Sequence, residues 1–212
     1  MMQIDFLFDA VCPWCYIGKR RLEEVLAGRQ ELDVTVNWRA FLLNPELPSN
    51  GMERSTYLAS KIGSQSRIRR VYGTISDVGL SVEIGFNFDT IRHTPNSIDA
   101  HRLVHFADQQ GKAEMAVEAL FEGYFVNGAN IGEAEVLCAM AEGLGLDAGA
   151  FAARLATDEG IVNIYDANAQ AHRLGINGVP SYVFNEHLVI SGAQEATVLN
   201  RMLDAALAMK EE

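Results

Sequence analysis

Cysteine is scarce here, with three residues in 212. So few exclude a disulfide-stapled scaffold. They also exclude an array of zinc ribbons, because structural zinc sites take four ligands, usually from two spaced pairs. Basic charge is in short supply too. Seventeen Lys and Arg stand against 28 Asp and Glu, a formal net charge of −11, and no basic run is present. That balance argues against nucleic acid and against an anionic membrane as partner. Long apolar runs are missing, so no segment can span a bilayer. The opening MMQIDFLFDA has an acid at Asp5 and no basic region ahead of its apolar residues. It is unlike a secretory signal, and a cytoplasmic protein is expected.

What is there is a globular composition. Hydrophobic residues make up 49% of the chain, and no tract is low in complexity. A chain this long can bury its own core, and one domain carrying a large insertion is the natural prior. Residues 3–8 alternate loosely and are rich in β-formers, which predicts a strand. Residues 13–26 carry Ile17, Leu22, Val25 and Leu26 at helical spacing, with Lys19 to Arg21 on the polar face. Residues 34–40 place Val34, Val36 and Trp38 on one face and Thr35, Asn37 and Arg39 on the other, a second strand. From Glu53 to Leu174 the pattern is almost wholly helical, one helix opening at Thr94-Pro95 and the last one ending at Gly175. Strand character returns at 181–184 and 188–190 around an Asn185-Glu186 turn, and an amphipathic helix over 194–209 closes the chain. The order βαβ, helical block, ββα describes one sheet interrupted by an inserted helical domain. The expected division is residues 1–48 with 175–212 for the sheet domain and 49–174 for the insertion.

Chemistry concentrates in Cys12-Pro13-Trp14-Cys15, at the start of the first helix. Pro13 suits the first helical position, where its missing N–H costs nothing. Cys12 then falls at the N-cap, where unpaired amides and the positive end of the helix dipole favour the thiolate, the reactive form. Cys15 lies one turn further in, within reach of a mixed disulfide on Cys12. This spacing makes Cys12 a nucleophile and Cys15 its resolving partner. A metal-ligand role is the rival reading, but this chain has one such pair and not two. Far along the chain, Gly178-Val179-Pro180-Ser181 places a proline before a strand, well set for a cis X–Pro bond. Such a turn opposite the helix start leaves the Val179 backbone open to pair with an extended peptide or with glutathione.

A strand followed by CPWCYIGK, a later NGVPSYVFN, then SGAQ ahead of the last helix, together resemble the DsbA-like thioredoxin superfamily. Within it the chain is similar to the FrnE-like branch, related to 2-hydroxychromene-2-carboxylate isomerases and kappa-class glutathione transferases. WRAFLLNP and TPNSIDAHRL extend the likeness over most of the chain. The resemblance implies an α/β thioredoxin fold with an inserted all-helical domain, an N-terminal dithiol at Cys12 and Cys15, and a cis proline at Pro180. It implies thiol–disulfide exchange with protein or small-molecule partners, with Pro13, Trp14, Val179 and Pro180 forming the binding surface. No metal or nucleotide cofactor is expected, glutathione is admitted as a co-substrate, and a homodimer is among the expectations because many relatives are dimers. Two departures bear on function. Periplasmic oxidases of the superfamily carry histidine where this chain has Trp14, so a milder oxidant is expected. The isomerases and kappa transferases usually carry serine at the position of Cys12, so keeping both cysteines favours redox chemistry over a glutathione-dependent isomerase or transferase.

Other candidates have plainer readings. Cys138, among apolar neighbours in a helix, reads as a small buried hydrophobe. His101 and His105 have a metal spacing but no evident third ligand, and read as a partly buried pair. His93 and His172 could line a cleft or lie on the surface. Lys61 is a weak candidate for substrate contact. Trp38, Phe41 and Leu42 read as core or domain-junction residues. The Ser191–Gln194 turn is a helix cap whose free amides could also hold a carboxylate.

Overall fold

The computed structural model describes residues 2–209. The chain divides into two compact units, residues 1–43 with 167–212 and residues 44–166.

The first unit is built on a four-stranded sheet of order β2-β1-β5-β6. Strand β1 (Met2–Phe8) runs parallel to β2 (Val34–Ala40), paired from Met2↔Val34 to Phe8↔Ala40, with helix α1 (Pro13–Ala27) as the crossover. A parallel pair needs such a crossover, and the opening βαβ supplies it. On its other edge β1 pairs antiparallel with β5 (Ser181–Phe184), which turns into β6 (Leu188–Ser191). The turn uses Asn185 and Glu186 at φ +48° and +66°, the pair of left-handed residues that a tight hairpin requires. Asn185 also fixes the hairpin to β1, its N–H donating to the Gln3 carbonyl at 2.8 Å while its side-chain oxygen accepts from the Gln3 amide at 3.0 Å. Alternation along β1 sends Ile4, Phe6 and Phe8, each 0% exposed, into the core. The Phe6 ring meets Trp38 at 5.2 Å and Tyr182 at 5.1 Å. Helix α9 (Ala196–Ala208) packs beside α1 and buries Leu199 and Leu203. It begins two residues later than the periodicity suggests, because the chain from Ser191 to Glu195 is spent on a turn.

On the opposite face of the sheet, Leu7, Phe41, Val183, Ile176 and Ala171 form a buried cluster with Val179 packed against it. Ala171 comes from helix α8 (Ile161–Arg173), whose final turns therefore belong with the sheet.

Lys19 and Arg21 do not lie on a polar face as their chemistry suggests; they are 2% and 7% exposed. Lys19 pairs with Glu23 one turn on, and its ammonium sits 6.0 Å over the Trp38 ring. Arg21 reaches across to the turn before α9, donating to the Ala193 carbonyl and to the Glu195 carboxylate, both at 2.6 Å.

The second unit holds helices α2 (Arg54–Lys61), α3 (Gln65–Leu80), α4 (Ile98–Asp108), α5 (Ala113–Phe125), α6 (Ala134–Gly143) and α7 (Ala148–Leu155). Helix α4 packs on α5 and α6 on α7, around fully buried Leu103, Leu120, Phe121, Phe125, Leu137 and Phe151. Buried Arg102 closes one end, donating to the Thr157 carbonyl at 2.8 Å, the Glu159 carbonyl at 2.9 Å and the Asp99 carboxylate at 2.8 Å. The insertion is helical apart from one feature. Strand β3 (Met52–Glu53) pairs with β4 (His93–Thr94), and the stretch between α3 and α4 also holds a short 3₁₀ turn over Phe88–Thr90. Thr94-Pro95 thus ends a strand and does not open a helix. The Asn96 side chain accepts from the Ile98 amide at 3.1 Å, a local turn that delays the helix start.

Candidate active site

The sheet positions the site through the carboxyl end of β1. The chain leaves Phe8, turns at Asp9, and enters α1 with Cys12 as N-cap in an extended conformation (φ −99°, ψ 111°) and Pro13 in the first turn. The Cys12 amide donates to the Asp9 carbonyl at 3.0 Å and the Cys15 amide to the Cys12 carbonyl at 3.0 Å, which coils CPWC into a single turn. Both cysteines carry free thiols, Cys12 5% and Cys15 0% exposed. Their side chains are hydrogen-bonded to one another, and burial first, then that bond, pushes the Cys15 thiol well above its ordinary value. Pro13 and Trp14 are half-buried beside them.

The second half of the site arrives with β5. The Val179–Pro180 peptide bond is cis. The Cys12 thiol lies 3.7 Å from the Val179 carbonyl oxygen and donates to it. Three tethers hold this turn, one to α1 and two to the end of β6. The Tyr182 hydroxyl donates to the Gly18 carbonyl at 3.1 Å. Pro180 offers its carbonyl to the Gly192 amide at 2.7 Å. The hydroxyls of Ser181 and Ser191 share a hydrogen bond at 2.7 Å. Gly18 itself leaves little room: a Cβ there would stand 2.6 Å from the Tyr182 oxygen and 2.9 Å from Pro180 Cγ. Cys12, Cys15, Pro13, Trp14, Val179 and Pro180 are therefore brought together from chain segments more than 160 residues apart.

A profile of the DSBA-like thioredoxin domain family matches residues 3–204. The chain belongs to this family. Among solved structures, this DSBA-like domain is similar to a probable DsbA oxidoreductase from Streptomyces coelicolor. The two are 30% identical with a TM-score of 0.90, over 98% of this chain and 91% of the other. The fold is shared with a 2-hydroxychromene-2-carboxylate isomerase, 17% identical with a TM-score of 0.75 over 99% and 98% of the two chains. It is shared as well with the cytosolic disulfide reductase DsbM from Pseudomonas aeruginosa, solved with GSH, 18% identical with a TM-score of 0.61 over 99% and 98%.

One residue of the DSBA-like site escapes sequence reasoning. Asp9 is 0% exposed; its carboxylate accepts from the Val11 amide at 3.2 Å and the Leu43 amide at 2.7 Å, and its charge acts on Cys15. A carboxylate three residues before a CxxC reads as solvated loop, and only its burial marks it. Other candidates fall elsewhere. In the Ser191–Gln194 turn the Gly192 and Gln194 amides are bonded, to the Pro180 and Gly192 carbonyls. His172 packs on Phe41 at 5.1 Å and meets Asn177. His93 bonds the Asn50 carbonyl at 2.6 Å within the second unit, where His101 is buried, Cys138 is half-buried and Lys61 is exposed. Among the described residues no three His, Cys, Asp or Glu side chains converge as metal ligands, and no helix is long and apolar enough to cross a membrane.

Proposed function

We propose that the protein is a dithiol–disulfide oxidoreductase in which Cys12 exchanges with a partner disulfide and Cys15 resolves the adduct. The observation that carries this reading is the Cys12 thiol at the helix start, facing the Val179 carbonyl, with the Cys15 thiol bonded behind it. As a thiolate, Cys12 attacks one sulfur of R–S–S–R′, forming Cys12–S–S–R and releasing R′–S⁻. Cys15 then gives up its proton, attacks the Cys12 sulfur and expels R–S⁻. The protein gains the Cys12–Cys15 disulfide and the partner gains two electrons; the same steps reversed oxidise a dithiol. Burial keeps Cys15 protonated until the second step, so a nearby proton acceptor is needed. Asp9, buried within electrostatic reach, is the residue for that role.

Pro13 and Trp14 flank the nucleophile, and the Val179 backbone offers β-type pairing to a peptide or to glutathione. The structural likeness to a reductase solved with GSH supports glutathione as a co-substrate. No metal or nucleotide enters these steps.

The test is a glutathione redox titration of the purified protein, with thiol labelling and mass analysis. A reversible Cys12–Cys15 disulfide is expected, and its midpoint against a cytosolic poise of roughly −220 to −320 mV separates reductant from oxidant. Cys15→Ser should trap a mixed disulfide on Cys12, and Cys12→Ser should abolish exchange. A stable glutathione adduct on Cys12 in the wild type, with no intramolecular disulfide, would overturn the proposal in favour of a glutathione-dependent isomerase or transferase.

A further inference from the structure

The second unit contains a buried cation with no anion. Arg54 opens α2 and is 7% exposed. Its Nη1 donates to the Thr94 hydroxyl at 3.2 Å and the Tyr124 hydroxyl at 3.1 Å, and its Nη2 to the Tyr72 hydroxyl at 2.8 Å. All three acceptors are neutral. Burial pushes Tyr124 up to about 12, so its hydroxyl does not supply the missing charge. A guanidinium has five N–H donors, and these bonds use three of them. Nε–H and one Nη2–H are left without an acceptor among the described residues. A buried charge without a counter-charge is costly, and chains normally avoid it or pair it.

Arg54 is also part of the wall of a cavity of about 360 Å³. Two more guanidiniums, Arg69 and Arg92, line it; both are exposed, and among the described residues neither forms an ion pair. Two carboxylates share the rim. Glu53 is engaged as the cap of α2, bonded to the Ser55 hydroxyl and the Thr56 amide, and Asp89 lies beyond ion-pair distance of the three arginines. Three positive and two negative groups leave one net positive charge, in a protein whose net charge is −11. The remaining wall is apolar and aromatic: Ile68, Ile91, and the Tyr72 and Phe88 rings, 4.4 Å apart.

We propose that this cavity binds an aromatic monocarboxylate, its carboxylate on the free Arg54 donors and its ring against the Tyr72–Phe88 wall. One net charge matches a monoanion better than a doubly charged phosphate. The buried fork of Arg54 matches the two oxygens of a carboxylate. The site lies within residues 53–92 and uses no cysteine, so it stands or falls independently of the redox reading.

The experiment is calorimetric titration of the full chain with 2-naphthoate, compared with the neutral 2-naphthamide and with inorganic phosphate. Saturable one-to-one binding of 2-naphthoate is expected. The amide should bind at least about tenfold more weakly, the loss of one charge-assisted contact, and phosphate should not compete. Arg54→Lys keeps the charge and loses the fork, so it should weaken binding about tenfold with the far-UV circular dichroism unchanged. Should that variant fail to fold, exposed Arg92→Gln and Arg69→Gln decide, each expected to weaken binding a few-fold and to flatten its salt dependence. Equal binding of acid and amide, displacement by phosphate, native affinity in both rim variants, or no saturable binding at millimolar 2-naphthoate would each overturn the proposal.

Discussion

Gly18→Ala separates helix propensity from packing at the proposed active site. Judged as a helix residue alone, Gly18 is a poor choice, and alanine should stabilise α1 by about 0.8–1 kcal/mol. The structure reverses that expectation. A Cβ would stand 2.6 Å from the Tyr182 oxygen and 2.9 Å from Pro180 Cγ, closer than carbon atoms settle. Neither neighbour yields easily, since the Tyr182 ring is 0% exposed and its hydroxyl is tied to the Gly18 carbonyl. Overpacking of this kind costs about 1–3 kcal/mol, and two confined contacts put the cost in the upper half of that range. The net expectation is a loss of about 1–2 kcal/mol, or a fall in Tm of about 3–6 °C for a chain this long. Urea titration of the reduced protein, read as a shifted midpoint at constant slope, measures it. Combining Gly18→Ala with Tyr182→Phe removes the nearest atom, so the pair should cost less than the sum of the singles by at least about 0.5 kcal/mol. Displacing Pro180 also moves the Val179 carbonyl away from Cys12, so Gly18→Ala should slow disulfide exchange. A Gly18→Ala protein as stable as the native one would refute the close packing of α1 against the Pro180 turn.

Two further outcomes follow from buried ionisable groups in the same unit. Because folding raises the Cys15 value, its contribution to stability is complete below the unfolded value near 8.5 and is lost as pH climbs, at about 1.4 kcal/mol per pH unit. The reduced protein should be less stable at pH 10 than at pH 8 on this account, and Cys15→Ala should lack that increment; parallel losses in the two proteins would remove burial as the cause. Asp9→Asn keeps the shape but cannot accept from both the Val11 and Leu43 amides, and it lacks the charge to take up a proton. It should slow release of the Cys12 mixed disulfide by about 10²-fold or more while leaving its formation less affected, resolved by quenched-flow labelling. Equal slowing of both steps would reduce Asp9 to a structural residue.

What the chain reveals of itself before folding is its short-range order. Alternation over residues 3–8 and 34–40, and the 3.6-residue period after Pro13, are written locally because each residue's fate depends on the face it occupies. CPWC and the Val179-Pro180 turn are likewise legible as motifs, and their meeting in space follows once β1 and β5 are neighbours. Lys19, Arg21, Arg54 and Asp9 defeat the same method for one shared reason. Each is a charge that a period-based reading assigns to solvent, and each is buried by packing that chain position does not disclose. Arg21 is held by a turn 172 residues away, and Arg54 by hydroxyls 18, 40 and 70 residues on. The β3–β4 ribbon escapes for a related reason, since two residues per strand are too few to show a period. Burying a charge costs more than burying any apolar side chain repays, so each such residue needs a specific compensation. Lys19, Arg21 and Asp9 have theirs inside the fold, in Glu23, Glu195 and the backbone amides of Val11 and Leu43. Arg54 has neutral oxygens and the faces of the Tyr72 and Tyr124 rings but no anion, and that imbalance is what points from its cavity to an anionic ligand.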